Sequence, residues 1–153
     1  MPTEPVPTCL VWDLDGTLLL PGRPDPVPGI DDVLAAWARR GTPMAVATSA
    51  PTTAARRAVA VLGWTASFGH VAGTGPGVAG KDEVILEALL GLGRTLPADA
   101  AGVAVVGDTP TDVAAARGLG LTAIGVAWGR AGVEDLHQAG ASWVARTPLD
   151  LRP

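Results

Sequence analysis

Cysteine, tyrosine and lysine are scarce in this chain of 153 residues, which has one cysteine, no tyrosine and a single lysine. The single Cys9 excludes an internal disulfide and a cysteine-rich zinc site, since each needs several thiols. No apolar run approaches the ~18 residues of a membrane-spanning helix. The first residues, MPTEPVPT, have neither the basic segment nor the apolar core of a secretory signal. We therefore expect a cytoplasmic protein without membrane contact.

Positive charge is also in short supply. The 11 Lys and Arg residues are outnumbered by 15 Asp and Glu residues, which gives a net charge of −4, and no basic block occurs. This balance argues against nucleic-acid binding. Hydrophobic residues make up 48% of the chain and charged residues 17%, which excludes a disordered chain. The length predicts about one domain, over residues 1–153.

The only lysine, Lys81, stands among ten arginines. A chain rich in Ala, Gly, Pro and Arg is typical of a composition bias in which Arg replaces Lys wherever charge alone matters. A lysine that persists under such a bias is a candidate functional residue. The alternative is a surface lysine that remains by chance, and only its surroundings separate the two.

Short apolar runs alternate with amphipathic stretches along the chain. The runs predict buried strands, and they cover residues 9–12, 44–47, 71–72, 103–106, 122–127 and 143–144. Apolar residues at helical spacing predict helices between these strands, over residues 30–38, 51–62, 84–92, 113–119 and 134–139. This alternation predicts an α/β, three-layer, Rossmann-like fold with a mainly parallel sheet and helices on both faces.

Polar residues follow the predicted strands where a parallel sheet binds its ligands, outside the carboxyl ends of the strands. These residues are Asp13 and Asp15 after the first strand, Thr48 and Ser49 after the second, and Asp108 and Asp112 after the fourth. Taken singly, each pair also fits a turn or a helix cap. Together they predict a crevice with four carboxylates.

Clustered carboxylates repel one another and need a cation or a shared proton. With oxygen ligands alone and no Cys or His nearby, Mg²⁺ is the expected ion, and it commonly completes its shell with substrate phosphate. Lys81 would neutralise phosphate, and Thr48 would donate to a phosphate oxygen. Backbone N–H groups at the helix starts after Pro51 and Asp108 add further donors.

Four segments together resemble the haloacid dehalogenase superfamily, in its phosphatase branch. Asp13-Leu14-Asp15-Gly16-Thr17 is similar to the first motif, and Gly107-Asp108-Thr109-Pro110-Thr111-Asp112 is similar to the fourth. Thr48, at the end of the second predicted strand, and Lys81, at the head of a helix, match the second and third motifs by position. All four occur in order between Cys9 and about Gly129. The sequence around them, including Val126-Ala127-Trp128-Gly129, looks most like that of phosphoglycolate-phosphatase-type members.

The resemblance implies roles for these residues. Asp13 would be the nucleophile that forms an aspartyl-phosphate, and Asp15 the general acid and then the base. Magnesium would be held by Asp13, Asp15 through its backbone carbonyl, Asp108 and Asp112. Thr48, Ser49 and Lys81 would bind phosphate. An acid at position 15 favours phosphoester hydrolysis over dehalogenation, because an alkoxide needs a proton and a halide does not.

The sequence departs from most such relatives in leaving no room for a cap domain. Only 32 residues separate Asp15 from Thr48, and 32 separate Thr48 from Lys81, and predicted helices and strands fill much of both. We expect a short flap around residues 18–23 instead. An uncapped site would stay open to a larger phosphorylated partner, or a second copy would cover it.

These patterns predict a Mg²⁺-dependent phosphomonoester hydrolase that acts on a phosphorylated small molecule or a larger phosphorylated partner. Phosphotransfer to an acceptor other than water, and a non-catalytic binding module on the same fold, remain as alternatives. Most of the five tryptophans are expected in the core, although exposed ones would favour a homo-oligomer. Four arginines could border the crevice and contact an anionic substrate, although each is expected to be a solvated surface charge, namely Arg23, Arg56, Arg57 and Arg130. His70 and His137 fall outside every motif and receive no role.

Overall fold

A computed structural model describes residues 5–153, so the first four residues of the N-terminal stretch lie outside the described part. Its centre is one parallel sheet of six strands in the order β3-β2-β1-β4-β5-β6. The strands are β1 (Cys9–Trp12), β2 (Met44–Pro51), β3 (His70–Thr74), β4 (Val103–Gly107), β5 (Thr122–Val126) and β6 (Trp143–Ala145).

Five α-helices connect the strands. They are α1 (Ile30–Arg39), α2 (Thr52–Val61), α3 (Lys81–Gly91), α4 (Pro110–Gly118) and α5 (Val133–Gln138), and two short 3₁₀ helices occupy Thr65–Ser67 and Pro148–Leu151. No helix within residues 5–153 has the length and apolarity to cross a membrane. The order of elements confirms the three-layer α/β fold predicted from the sequence.

The two faces of the sheet carry separate apolar layers. In β1, Leu10 and Trp12 point to the layer that holds α1 and α2, while Cys9 and Val11 point to the layer that holds α3, α4 and α5. All four side chains are at most 1% exposed. Burial on both faces explains why the strand reads as an unbroken apolar run and not as an alternating pattern.

Three of the five tryptophans are buried, as the sequence led us to expect, and they are Trp12, Trp37 and Trp64. Each places its indole N–H against a partner, which lowers the cost of burying a donor. The Trp37 Nε1–H donates to the Leu151 carbonyl at 2.8 Å, so the last 3₁₀ turn is attached to α1. Trp128 and Trp143 are half-buried.

Two helices begin before their apolar stripes. Helix α3 begins at Lys81 and α4 at Pro110, as the motif positions predict, and each starts three residues before the first residue of its apolar stripe. The first turns of both helices are largely polar, so apolar periodicity does not reveal them. Strand β2 extends to Pro51, beyond the predicted end at residue 47, with irregular pairing to β3 between Ala47 and Pro51.

The strand order places a crevice at the end of β1. From β1 the chain moves outward to β2 and β3 on one side, then returns to build β4, β5 and β6 on the other. The two connections therefore leave β1 in opposite directions, and ligands of open α/β sheets bind at such a reversal.

A short flap, and no inserted domain, follows β1 in the described residues. Isolated bridges pair Asp15 with Leu19 and Leu19 with Pro26. The Val27 N–H donates to the Leu18 carbonyl at 2.9 Å, which closes the base of the flap. This arrangement confirms the expected capless fold and leaves the carboxyl end of β1 open.

Candidate active site

Asp13 lies at the carboxyl end of β1, at the centre of the crevice. Its backbone N–H donates to the Val106 carbonyl at 2.9 Å, which continues the β1–β4 ladder one residue past the strand. The residue is 8% exposed. Its carboxylate is therefore positioned by the sheet and largely removed from water.

Lys81 begins α3 and points into the same crevice, where its ammonium group contacts three oxygens. Its Nζ lies 2.8 Å from Asp13 Oδ1, 2.9 Å from Asp112 Oδ1 and 2.7 Å from the Ala47 carbonyl. These contacts match the three N–H donors of an ammonium group. The residue is 8% exposed. The only lysine is thus a buried site residue, and not a surface lysine.

Charges in this cluster shift one another's protonation. Burial raises the pKa of Asp13 to about 8, although the Lys81 ammonium lowers it and the Asp112 carboxylate raises it further. Burial alone would lower the pKa of Lys81, but the carboxylates of Asp13 and Asp112 raise it above its ordinary value. Lys81 is therefore a permanent cation, and Asp13 is the group whose charge responds to what binds beside it.

Three carboxylates meet around the end of β1. One oxygen from each of Asp13, Asp108 and Asp112 lies within 4.8 Å of the others. The Thr17 hydroxyl donates to Asp108 Oδ1 at 3.2 Å, and its distance to Asp13 Oδ2 is 3.5 Å. Asp108 is fully buried. Three buried carboxylates against one lysine leave an excess of negative charge.

The donor set of this cluster fits a hard divalent cation. Its candidate ligands are carboxylate oxygens, and no His or Cys belongs to the group. Mg²⁺ binds through a few carboxylates and keeps waters or substrate oxygens in its other positions. The residues present therefore fit magnesium, which would also offset the excess negative charge.

Asp112 both caps α4 and contacts Lys81. The backbone N–H of Thr109 donates to Asp112 Oδ2 at 3.1 Å, and the backbone N–H of Asp112 lies 3.4 Å from the Thr109 hydroxyl, as in a capping box. The other oxygen of Asp112 contacts Lys81. The alternative that Asp108 is a cap and Asp112 a solvated helix residue is therefore wrong, because Thr109 is the N-cap and Asp112 is 4% exposed.

Asp15 lies at the mouth of the crevice, outside the buried cluster. Its Oδ1 accepts the Gly22 backbone N–H at 2.9 Å, and its Oδ2 forms an ion pair with Arg130 at 2.5 Å. The Asp15 side chain is 44% exposed and that of Arg130 46%. The carboxylate of Asp15 is thus held towards the opening, where an incoming group would meet it.

Two glycines allow the loops to approach Asp108 closely. Gly16 has φ +82°, and a Cβ there would lie 2.1 Å from Asp108 Oδ2. A Cβ on Gly129 would lie 2.3 Å from the Asp108 Cβ and 2.4 Å from the Gly16 carbonyl oxygen. Any larger residue at either position would collide with the carboxylate or with backbone, so the close packing of both loops on Asp108 depends on these two glycines.

The predicted site residues line one pocket of about 510 Å³, with the exception of Lys81, which lies behind Asp13. Thr48 is buried and its hydroxyl accepts the Ala50 N–H at 3.2 Å, whereas Ser49 is exposed. The lining residues are Asp13, Asp15, Gly22, Thr48, Ser49, Ala50, Asp108, Thr109, Thr111, Asp112 and Arg130.

The sequence does not specify the contacts of three contributors to this site. Thr17 belongs to a motif, but its hydrogen bond to Asp108 follows only from the structure. Arg130 is one of the four arginines that could border the crevice, and it pairs with Asp15 and lines the pocket instead of being a solvated surface charge. The need for glycine at position 129 follows only from the packing of its loop on Asp108.

The other arginines near the crevice in sequence stay outside it. Arg23 pairs with its neighbour Asp25 at 3.1 Å on the exposed flap. Arg56 and Arg57 are exposed on α2. None of the three lines the pocket, which agrees with the surface role expected for them.

Comparison with known families identifies the chain. The sequence profile of the haloacid dehalogenase-like hydrolases matches residues 20–120, which is more than half of the chain. The chain belongs to the haloacid dehalogenase-like hydrolase family. This membership confirms the resemblance stated on the four motifs and makes the chain a member of an enzyme family. No curated protein gives a significant sequence match.

Solved structures show the same fold at low identity. A predicted phosphatase from Clostridium acetobutylicum has a TM-score of 0.85 and 19% identity, with 96% of this chain and 97% of that one covered. A haloacid dehalogenase-like family protein from Streptococcus pneumoniae has a TM-score of 0.81 and 18% identity, over 95% and 96% of the two chains.

A predicted phosphoglycolate phosphatase from Haemophilus somnus is similar as well. Its TM-score is 0.78 at 16% identity, and the match covers 94% of this chain and 96% of that one. At such identities the likeness establishes the fold of this family member and nothing finer.

Proposed function

We propose that this family member is a Mg²⁺-dependent phosphomonoester hydrolase that acts through an aspartyl-phosphate on Asp13. The observation that carries the proposal is the buried contact of 2.8 Å between Asp13 and Lys81, beside two further carboxylates. A buried carboxylate fixed by a lysine is oriented for attack, and surplus carboxylates beside it suit a metal ion that binds phosphate.

In the first step, an Asp13 carboxylate oxygen attacks phosphorus. The new bond joins this oxygen to phosphorus, and the ester bond between phosphorus and the leaving oxygen breaks. Lys81, in contact with Asp13, offsets negative charge where the two anions approach each other. Its contacts with Asp112 and the Ala47 carbonyl keep it in place during the attack.

Asp15 is the proposed general acid and base. Its exposed carboxyl group faces the opening, where the leaving oxygen departs. It donates a proton to that oxygen. Afterwards it removes a proton from the water that attacks phosphorus in the acyl phosphate, the bond between phosphorus and the Asp13 oxygen breaks, and inorganic phosphate leaves with the Asp13 carboxylate restored. The Gly22 N–H holds one of its oxygens, so the carboxyl group keeps its orientation in both steps.

Phosphate oxygens are the proposed ligands of Thr48, Ser49 and Lys81. Thr48 and Ser49 line the pocket at the end of β2, beside Asp13. Backbone N–H groups at the starts of α2 and α4 face the same end of the sheet, where helix N-termini favour anions.

The proposed magnesium ligands are the carboxylates of Asp13, Asp108 and Asp112, together with the backbone carbonyl of Asp15. A bound Mg²⁺ would neutralise and orient the transferring phosphoryl group. The Thr17 hydroxyl and the Arg130 N–H hold the two oxygens of Asp108, at 3.2 and 2.9 Å, so this carboxylate keeps its direction. The proposal places the enzyme in the cytoplasm as a single capless domain over residues 1–153.

Release of inorganic phosphate tests the proposal. A panel of phosphomonoesters is incubated with the full chain in Mg²⁺ and in EDTA, beside Asp13→Asn and the control Asp32→Asn, which alters an exposed aspartate at the start of α1. We expect metal-dependent release that Asp32→Asn retains and Asp13→Asn reduces by at least about a thousandfold, because the whole pathway passes through the nucleophile.

The same assay separates the alternatives. Faster product formation when an alcohol is added, with less phosphate released, would indicate phosphotransfer instead of hydrolysis. Absence of turnover with any ester, small or macromolecular, would favour the non-catalytic binding module. Equal activity in Asp13→Asn and the parent protein would contradict the proposed nucleophile.

A further inference from the structure

Arg130 is the one arginine among residues 5–153 that lines the active-site pocket. It follows β5 on the loop that crosses the mouth of the crevice, and its side chain is 46% exposed. Lys81, the other cation of the site, is buried with its ammonium group surrounded by three protein oxygens. A ligand that enters the pocket therefore meets the guanidinium of Arg130 at the surface.

The backbone of this loop is fixed to the floor of the site. The Arg130 N–H donates to Asp108 Oδ2 at 2.9 Å, and the Ala131 N–H donates to the Asp108 carbonyl at 3.1 Å. Gly129 packs directly on Asp108. On the same loop, the Trp128 indole N–H donates to the Thr17 carbonyl at 2.9 Å. Arg130 is thus presented from a rigid segment, which lowers the entropy cost of binding a ligand there.

The guanidinium retains donors for a ligand. Its Nη2 contacts Asp15 Oδ2, and its Nη1 lies 3.9 Å from Asp108 Oδ2, beyond hydrogen-bond distance. Its Nε has no hydrogen-bond partner within residues 5–153. Because a guanidinium offers five N–H donors in a planar fork, Arg130 can hold Asp15 with one edge and an anion with another.

We propose that Arg130 binds a second anionic group of the substrate, a carboxylate or a phosphate, attached close to the scissile ester oxygen. The inference rests on the proposed function, which places the leaving oxygen beside Asp15. The contact between Asp15 and Arg130 then places a group one or two carbons from that oxygen within reach of the guanidinium. In this capless enzyme, the core domain itself selects for charge on the leaving group.

Three propyl phosphates that differ only at the far end of the chain test this assignment. One ends in a hydroxyl, one in a carboxylate and one in a second phosphate, so the last two also separate the two sources of negative charge. Calorimetry measures the dissociation constant of each compound from the Asp13→Asn protein in the presence of Mg²⁺. This variant lacks the proposed nucleophile, so turnover does not interfere with the measurement.

We expect at least one anion-ended compound to bind about tenfold more tightly than the hydroxyl-ended one, since a charge-assisted contact at a half-exposed arginine is of that order. Adding Arg130→Gln should reduce this ratio to below about twofold, and Arg130→Lys should restore part of it. Arg23→Gln, which removes the exposed flap arginine, is the matched control and should keep the full ratio.

Three results would overturn the assignment. In the first, the three compounds bind equally to the Asp13→Asn parent. In the second, the ratio of dissociation constants between the hydroxyl-ended and anion-ended compounds is unchanged by Arg130→Gln. In the third, Arg130→Gln weakens the binding of all three compounds equally, which would mean that Arg130 acts only through Asp15. Hydrolysis of the three compounds by the unmodified protein is measured in parallel. A difference of about tenfold in binding without hydrolysis of these three esters would support the anion site and count against the proposed function for small esters. Hydrolysis of all three without any difference in binding would support the proposed function and overturn the anion site.

Discussion

The candidate active site has an inner half and an outer half that differ in burial. The inner half consists of Asp13, Thr17, Lys81, Asp108 and Asp112, each at most 8% exposed. The outer half consists of Asp15 and Arg130, whose side chains are 44% and 46% exposed. Both halves contain carboxylates paired with a cation, at contact distances of 2.5 to 2.9 Å. Their surroundings, and not their chemistry, distinguish them.

The difference in burial changes the strength of the charge contacts in the two halves. In the inner half, low solvent exposure strengthens each charge contact and makes an unpaired charge costly. Sheet strands and helix starts hold these groups, so their geometry is set before a ligand arrives. In the outer half, water screens the Asp15–Arg130 pair, so its partners can exchange with a substrate at little cost. The inner half suits the reaction, and the outer half suits recognition.

Removing the inner cation should have the largest effect. Lys81→Met keeps the length of the side chain but leaves Asp13 and Asp112 without their buried partner. We expect a loss of about 3–5 kcal/mol in unfolding free energy, as for other broken buried pairs, and loss of most phosphatase activity. Urea denaturation in EDTA measures the first quantity and phosphate release the second.

The matched change in the outer half is Arg130→Gln. It should lower the unfolding free energy by less than about 1 kcal/mol, since exposed ion pairs contribute little. If Lys81→Met and Arg130→Gln lowered the unfolding free energy by similar amounts, burial would not distinguish the two halves.

A smaller effect should appear in the pH dependence of stability. Because the pKa of Asp13 is raised to about 8 in the folded state, the folded protein binds a proton that an unfolded aspartate, with pKa about 3.9, has released. The resulting stabilisation is fully present below the unfolded pKa and is lost as pH rises through about 8. In EDTA, the Tm of the unmodified protein should therefore fall relative to that of Asp13→Asn between about pH 5 and pH 8.5.

Added Mg²⁺ should flatten this difference, because a bound cation favours the ionised carboxylate. Asp32→Asn, on the surface of α1, should follow the unmodified protein at every pH. Parallel Tm profiles for the unmodified protein and Asp13→Asn in EDTA would show that Asp13 is already ionised in the metal-free site.

Sequence patterns predicted that the aspartates and Lys81 would meet at one edge of the sheet, but they did not single out Arg130. Asp13, Asp108 and Asp112 follow strands whose apolar runs are plain in the sequence, and a parallel sheet brings strand ends to one edge. Lys81 was identifiable because it is the only lysine. The fold followed from the same alternation of strands and helices, and from spacings too short for a cap.

Arg130 and Gly129 could not be predicted in the same way. Their loop leaves β5 and returns across the crevice to contact Asp108 and Asp15, a path that depends on tertiary packing and not on local periodicity. The order of elements reduced the ten arginines to four near the crevice but gave no means of choosing among these four. Apolar periodicity alone places the starts of α3 and α4 too late, since their polar first turns carry contacts in the site, and only the motif residues Lys81 and Asp108 indicate where these helices begin.

Trapping the covalent intermediate tests the central claim most directly. In Asp15→Asn, p-nitrophenyl phosphate can still phosphorylate Asp13, because its leaving group needs little protonation, whereas hydrolysis lacks the base that activates water. The protein is mixed with this ester and Mg²⁺, quenched in acid and measured by mass spectrometry. We predict one added phosphoryl group on the peptide that contains Asp13, and none in Asp13→Asn. Phosphate release by Asp15→Asn without any phosphoryl group on Asp13 would contradict the account.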